Sequence, residues 1–217
     1  MSLLDLITGS TGNQVAEQVE NKFGISKNQI IALLVVAAPL VISYLKKKSE
    51  NAEEADKLNA TLDKHHDGSI LNNPAQALER ESEGNSILDH IFGGNKANVE
   101  NQLSANTGIS MDKIGPVLAT LAPVIMGYIG QQKQASNVTS GGGLGDLLGG
   151  ILGGSAQEAQ ASNNPLSDIL GSVIGGATQS SGGGLGDILG SVLGGGNQQK
   201  QSQQGGLGGL LGSIFGK

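Results

Sequence analysis

The chain has no cysteine and no tryptophan, and its only aromatic side chains are Phe23, Phe92, Phe215, Tyr44 and Tyr128. Without cysteine there are no disulfides, no thiol nucleophiles and no thiolate metal sites. With so few rings, any core must be built from Leu, Ile, Val and Ala. Positive charge is scarce too: 13 Lys and Arg stand against 19 Asp and Glu, and the one basic cluster is Lys46-Lys47-Lys48. Neutralising a phosphate backbone needs clustered cations, so no nucleic-acid partner is expected. The N-terminus, Met1-Ser2-Leu3-Leu4-Asp5, lacks a basic stretch and a long apolar run. A secretory signal is therefore not expected, and the cytoplasm is the default location.

Glycine is what the chain has in excess. Of 36 glycines, 25 lie from Gly141 onward, mixed with Gln, Ser and Asn. Only residues 1 to 133 have the apolar density for a core. Within them one pattern occurs twice. Gly24-Ile25-Ser26 leads through Ile30 and Ala38-Pro39 to Tyr44, and Gly108-Ile109-Ser110 leads through Ile114 and Ala122-Pro123 to Tyr128. The offset is 84 positions, and it also pairs Leu4 with Leu88, Ile7 with Ile91, Val15 with Val99 and Leu34 with Leu118.

Each unit reads as three helices. The first is short and apolar (Leu3, Leu4 and Ile7 on one side) and stops at Gly9. The second carries Val15, Val19 and Phe23 at helical spacing and ends at Gly24, a residue suited to a left-handed C-terminal turn. Ser26 caps the third, with Gln29 completing a capping box, and Ser110 is expected to do the same in the second unit. The third helix is apolar nearly all round, with no charge between Lys27 and Lys46. A membrane span needs roughly 20 apolar residues, and this run falls short, so a helix buried by its neighbours fits better. Pro39 and Pro123 recur at one position. Proline removes a backbone bond, so a kink or break is expected, with the Val35 and Ala119 carbonyls freed. Between the units, 49–63 reads as a polar helix, and Asn73-Pro74 as the start of another running to about Glu83.

Candidate chemistry is thin. Asp63, His65 and Asp67, followed by Gly68, echo the opening of a calcium loop. His65 is a poor calcium ligand, and Pro74 stands where the loop needs glutamate. A tight turn with Asp67 capping the next helix is the simpler reading. His90 reads as a packed or half-exposed side chain. No serine sits in a nucleophile motif, and the runs Gly141-Gly142-Gly143 and Gly182-Gly183-Gly184 lack the lysine of a phosphate loop. A helix-turn-helix over 15–33 would have to pull an aliphatic helix out of the core to reach bases. No enzymatic activity and no cofactor are expected.

Three stretches carry a family resemblance: Leu62-Asp63-Lys64-His65-His66-Asp67-Gly68-Ser69, Ser86-Ile87-Leu88-Asp89-His90-Ile91-Phe92-Gly93-Gly94, and Leu118-Ala119-Thr120-Leu121-Ala122-Pro123-Val124-Ile125-Met126-Gly127. With the Gly/Leu tail, they make the chain resemble the bacterial YidB-like family, domain of unknown function 937. The resemblance implies an all-helical bacterial domain. It brings no activity and no catalytic residues. His65 departs from the acidic residue more usual there.

The tail repeats one short pattern four times. Leu147, Leu148, Ile151 and Leu152 make the first piece, and Ile169, Leu170, Val173 and Ile174 the second. Ile188, Leu189, Val192 and Leu193 make the third, and Leu210, Leu211, Ile214 and Phe215 the fourth. The spacing matches Ile87, Leu88, Ile91 and Phe92 of the first helix in the second unit. With Leu144, Leu166, Leu185 and Leu207 added, each piece has one apolar helical face. Pieces of about nine residues with internal glycines are marginal helices alone, so they read either as low-complexity drift or as helices formed on docking.

The reading is an all-α protein of two tandem pseudo-repeats of about three helices each, at 1–48 and 86–133. Linker helices with a turn at 63–69 occupy 49–85. A Gly-rich, largely disordered tail with short helical segments fills 134–217. Gly24, Ser26, Pro39, Gly108, Ser110 and Pro123 carry the architecture. The expected function is interaction or self-assembly, with the tail binding itself or another protein. Membrane association through apolar or amphipathic helices is the alternative.

Overall fold

Ser2 opens the first helix with a capping box, its hydroxyl taking the Asp5 amide while the Asp5 carboxylate takes the Ser2 amide. The computed structural model describes residues 1–161, and among the described residues the structure is helical, without strands. Helix α1 spans Leu3–Thr8, α2 Ser10–Phe23, α3 Lys27–Lys48 and α4 Ala52–His65. Two 3-10 turns, Ser69–Asn72 and Pro74–Leu78, lead to α5 Glu81–Phe92, α6 Lys96–Thr107, α7 Met111–Ala135 and α8 Leu144–Ala161. Leu3, Leu6 and Ile7 of α1 are buried while Leu4 is half-buried.

Caps act where the pattern places them, except at Ser110 and Asn73. Gly24 and Gly108 end α2 and α6 at φ 63° and 69°, a left-handed conformation that costs glycine nothing. Ser26 and Gln29 form the expected box. Asn51 accepts from the Glu53 and Glu54 amides. Ser110 does not cap α7 with its side chain. Its hydroxyl is engaged by the Asp112 carboxylate, whose pKa that hydrogen bond lowers.

The third helices form the centre. Every residue of α3 from 33 to 45 is buried, and every residue of α7 from 117 to 130. Contrary to the expectation that the run falls short of a span, both helices are long and apolar enough to cross a membrane, yet 72% and 83% of their most apolar windows are buried inside the protein.

Of the kink or break expected at the prolines, no break occurs: α3 runs through Pro39, and α7 through Pro116 and Pro123. Pro123 has no amide to give the Ala119 carbonyl, and Gly84 of α5 packs on that carbonyl instead. A Cβ at Gly84 would lie 1.6 Å from the Ala119 oxygen. The Gly84 Cα hydrogens thus face an oxygen that has lost its helical donor, a weak but recurrent contact.

One helix boundary also lies earlier than the sequence pattern places it. Gly84 does not precede the second unit's first helix but lies inside α5, which begins at Glu81. The helix expected from Pro74 is a 3-10 turn. Asn73 sits at φ −140° and makes no side-chain cap bond, so nothing initiates an α-turn there. Ahead of it, the 66–70 stretch crosses α7, where a Cβ at Gly130 would lie 1.6 Å from the His66 carbonyl oxygen. One at Gly127 would lie 2.4 Å from the Ile70 side chain.

Most helix packing stays within a half, α5 on α7 above all, but contacts also pass between the halves. Phe92 of α5 meets Tyr44 of α3 edge-on, with ring centroids 4.8 Å apart. At the other end Gln132 of α7 donates to the Met1 carbonyl. Gln29 donates to the Gly108 carbonyl at 3.1 Å, and Lys113 to the Phe23 carbonyl at 2.8 Å.

Candidate functional site: the seat of the first tail segment

The first tail segment is packed onto the helical body. After α7, Asn137 turns the chain at φ 51° and Val138 returns its amide to the Lys133 carbonyl. Gly141 then lies flat on α4, where a Cβ would come within 2.5 Å of Asp56 Oδ1. From there α8 runs across the C-terminal part of α3. Leu144 and Leu148 are 0% exposed, and Leu147, Ile151 and Leu152 are half-buried against the same core.

The glycines of α8 divide by face. A Cβ on Gly149 would be 3.5 Å from the Lys46 stem, and one on Gly145 would be 3.5 Å from Ser49 Oγ. Gly150, Gly153 and Gly154 have nothing within 4 Å. The helix is 18 residues long, twice the piece expected from the pattern. Docking supplies what the isolated segment lacks. Fully burying a leucine contributes roughly 1.5–3 kcal/mol, and each helical glycine costs about 1 kcal/mol against alanine. With two anchors against five glycines, α8 is held by a narrow margin.

A second feature could not be read from spacing. The cleft between the end of α3, α4 and α5 has a volume of about 670 Å³ and brings His65, His66 and His90 together over Leu45, Leu58, Ile87, Ile91 and Met126. These are all three histidines of the chain. His66 is buried, with Nε2 3.4 Å from Glu83 and Nδ1 without a protein partner. Burial lowers its pKa to about 4, with Arg80 and His65 adding to the effect. His90 is exposed and sits 3.3 Å from Glu54, which also pairs with Lys57 and Lys48.

Among the described residues no group of three His, Asp or Glu side chains is placed to hold a metal. Asp63, His65 and Asp67 do not converge. Asp63 pairs with Lys133, which is buried. His65 ends α4 and offers its carbonyl to Arg80, while Asp67 accepts the Ser69 amide at 2.9 Å and so closes the turn. Of the four tail segments, Leu147, Leu148, Ile151 and Leu152 lie on α8. Those at 169–174, 188–193 and 210–215 lie outside the described residues.

Residues 5–132 match the model of the family described as "Bacterial protein of unknown function (DUF937)". The chain belongs to this family. No curated protein and no solved structure matches it. The matched region of this family member ends within α7, so α8 and its seat partner lie on opposite sides of that limit.

Proposed function

We propose that the protein is a non-enzymatic self-assembly module, acting in the cytoplasm, whose tail segments dock on its own helical body. The observation that carries this reading is the burial of Leu144 and Leu148 of the first segment in the same core as α3 and α7. The remaining segments repeat its spacing on spacers rich in Gly, Gln and Ser. One docked segment is weak; several on one chain multiply the strength of association.

The body itself reads as two pseudo-repeats related by a local twofold. In favour are the 84-residue offset and the matched bonds from Gln29 and Lys113 to the opposite second helix. Such an internal twofold gives the body paired surfaces, as in a small homodimer.

The test is sedimentation of the full chain against one ending at Ala161, which keeps α8. The full chain should form larger, concentration-dependent species, and the shorter one should be a monomer. Equal masses would overturn the reading.

Membrane association is the second reading, favoured by the length and apolarity of α3 and α7. Their burial within the body supports a core role instead. Recovery of the chain in a carbonate-resistant membrane pellet would reverse that preference.

A further inference from the structure

We propose that the seat on α3 holding 144–152 also takes the segments 166–174, 185–193 and 207–215 of a second copy of this chain. This rests on the self-assembly reading and names the surface through which it works. The ground is a position-by-position match between what the seat demands and what the tail repeats.

Two side chains of the docked segment are fully buried, Leu144 and Leu148. The equivalent positions are Leu166 and Leu170, Leu185 and Leu189, and Leu207 and Leu211, leucine in every case. The half-buried positions Leu147, Ile151 and Leu152 vary among Leu, Ile, Val and Phe in the other segments. Gly149, which faces the Lys46 stem, is glycine in all: Gly171, Gly190 and Gly212. Gly150 faces open space, and there the others carry Ser172, Ser191 and Ser213. Gly145, in ordinary contact with Ser49, is Ser167 in the second segment. Every segment keeps both leucine anchors and the glycine that faces Lys46.

Reach is not a barrier. From Ala161 to Leu185 the chain has 24 residues, enough to span about 80 Å when extended. The chain carries four such segments, and one seat is seen among the described residues. When a neighbour's segment replaces α8, leucine again fills both anchor positions. The released α8 segment is then free for another molecule. Head-to-tail exchange of this kind gives a closed ring where the geometry closes and an open-ended assembly where it does not.

The absence of cysteine makes the test clean. Full-length Ser49→Cys is mixed with full-length Gly186→Cys, one of them mass-tagged, under mild oxidation. Gly186 holds the position of Gly145, whose Cβ would lie 3.5 Å from Ser49 Oγ. A single chain carrying Ser49→Cys and Gly145→Cys is the control for the seat. Gln199→Cys, in a spacer, measures random collision.

The expected result is reducible heterodimer with Gly186→Cys about tenfold above that with Gln199→Cys, returned to the collision level by adding Leu189→Ser. Equal yields from Gly186→Cys and Gln199→Cys, with the control pair crosslinking, would overturn the proposal. So would a crosslink forming only within one chain that carries both Ser49→Cys and Gly186→Cys. If yields are equal while the chain ending at Ala161 still sediments smaller than the full chain, self-assembly stands and the seat is wrong.

Discussion

Gln29 and Lys113, 84 positions apart, each reach across to the end of the opposite second helix, at the Gly108 and Phe23 carbonyls. The first helices cross as well: Phe92 of α5 packs on Tyr44 of α3, and Met1 beside α1 meets Gln132 of α7. Each half is therefore tied to the other at both ends. Separate fragments 1–50 and 81–135 are expected to be largely unfolded alone and to gain helicity when mixed, measured by circular dichroism. Full helicity in either fragment by itself would contradict the interlock.

Gly84→Ala should destabilise the body by about 2 kcal/mol, the usual cost of forcing a group into a packed site. The added methyl meets the Ala119 carbonyl that Pro123 leaves without a donor. Gly94→Ala, with nothing within 4 Å, is the matched control and should change stability by less than about 0.5 kcal/mol. Denaturant melts of the two variants decide it.

Leu148→Ala removes one of two buried anchors of α8. Because the margin is narrow, the expected outcome is local release rather than global unfolding. Amide exchange over 144–155 should rise to near-unprotected rates while 117–130 stays protected. Uniform loss of protection would mean that α8 and the body unfold as one.

His66 gives the stability a defined pH dependence. Its folded pKa is about 4 against 6.5 in the unfolded chain, chiefly through burial. The unfolded chain takes up a proton that the folded chain refuses. The contribution is therefore full above pH 6.5 and is lost as pH falls toward 4, by about 3 kcal/mol at most. His66→Gln should flatten the stability curve across that window relative to the parent. An unchanged slope would place the proton elsewhere.

Much of the fold was legible because its signals are local. Ser26 with Gln29, Gly24 and Gly108 mark helix ends by short-range hydrogen bonding and backbone freedom, and the folded chain has each of them in place. The burial of α3 and α7 comes from their apolar circumference. What stayed hidden depends on which surfaces meet. Pro123 announces a freed carbonyl, but only the fold brings Gly84 to it. Ser110 resembles Ser26 in position, yet Asp112 draws its hydroxyl away. The histidines looked unrelated because α4 and α5 bring them together from separate stretches. In the tail, the spacing showed an apolar face. The fit of Leu144 and Leu148 to α3 emerged only from the packing.

The central claim is that the tail's leucine anchors drive assembly. The most direct measurement is sedimentation of the full chain against the same chain carrying Leu170→Ser, Leu189→Ser and Leu211→Ser, which keeps length, charge and the docked α8. The account predicts large, concentration-dependent species for the parent and a monomer for the variant. The same distribution of masses for both would contradict it.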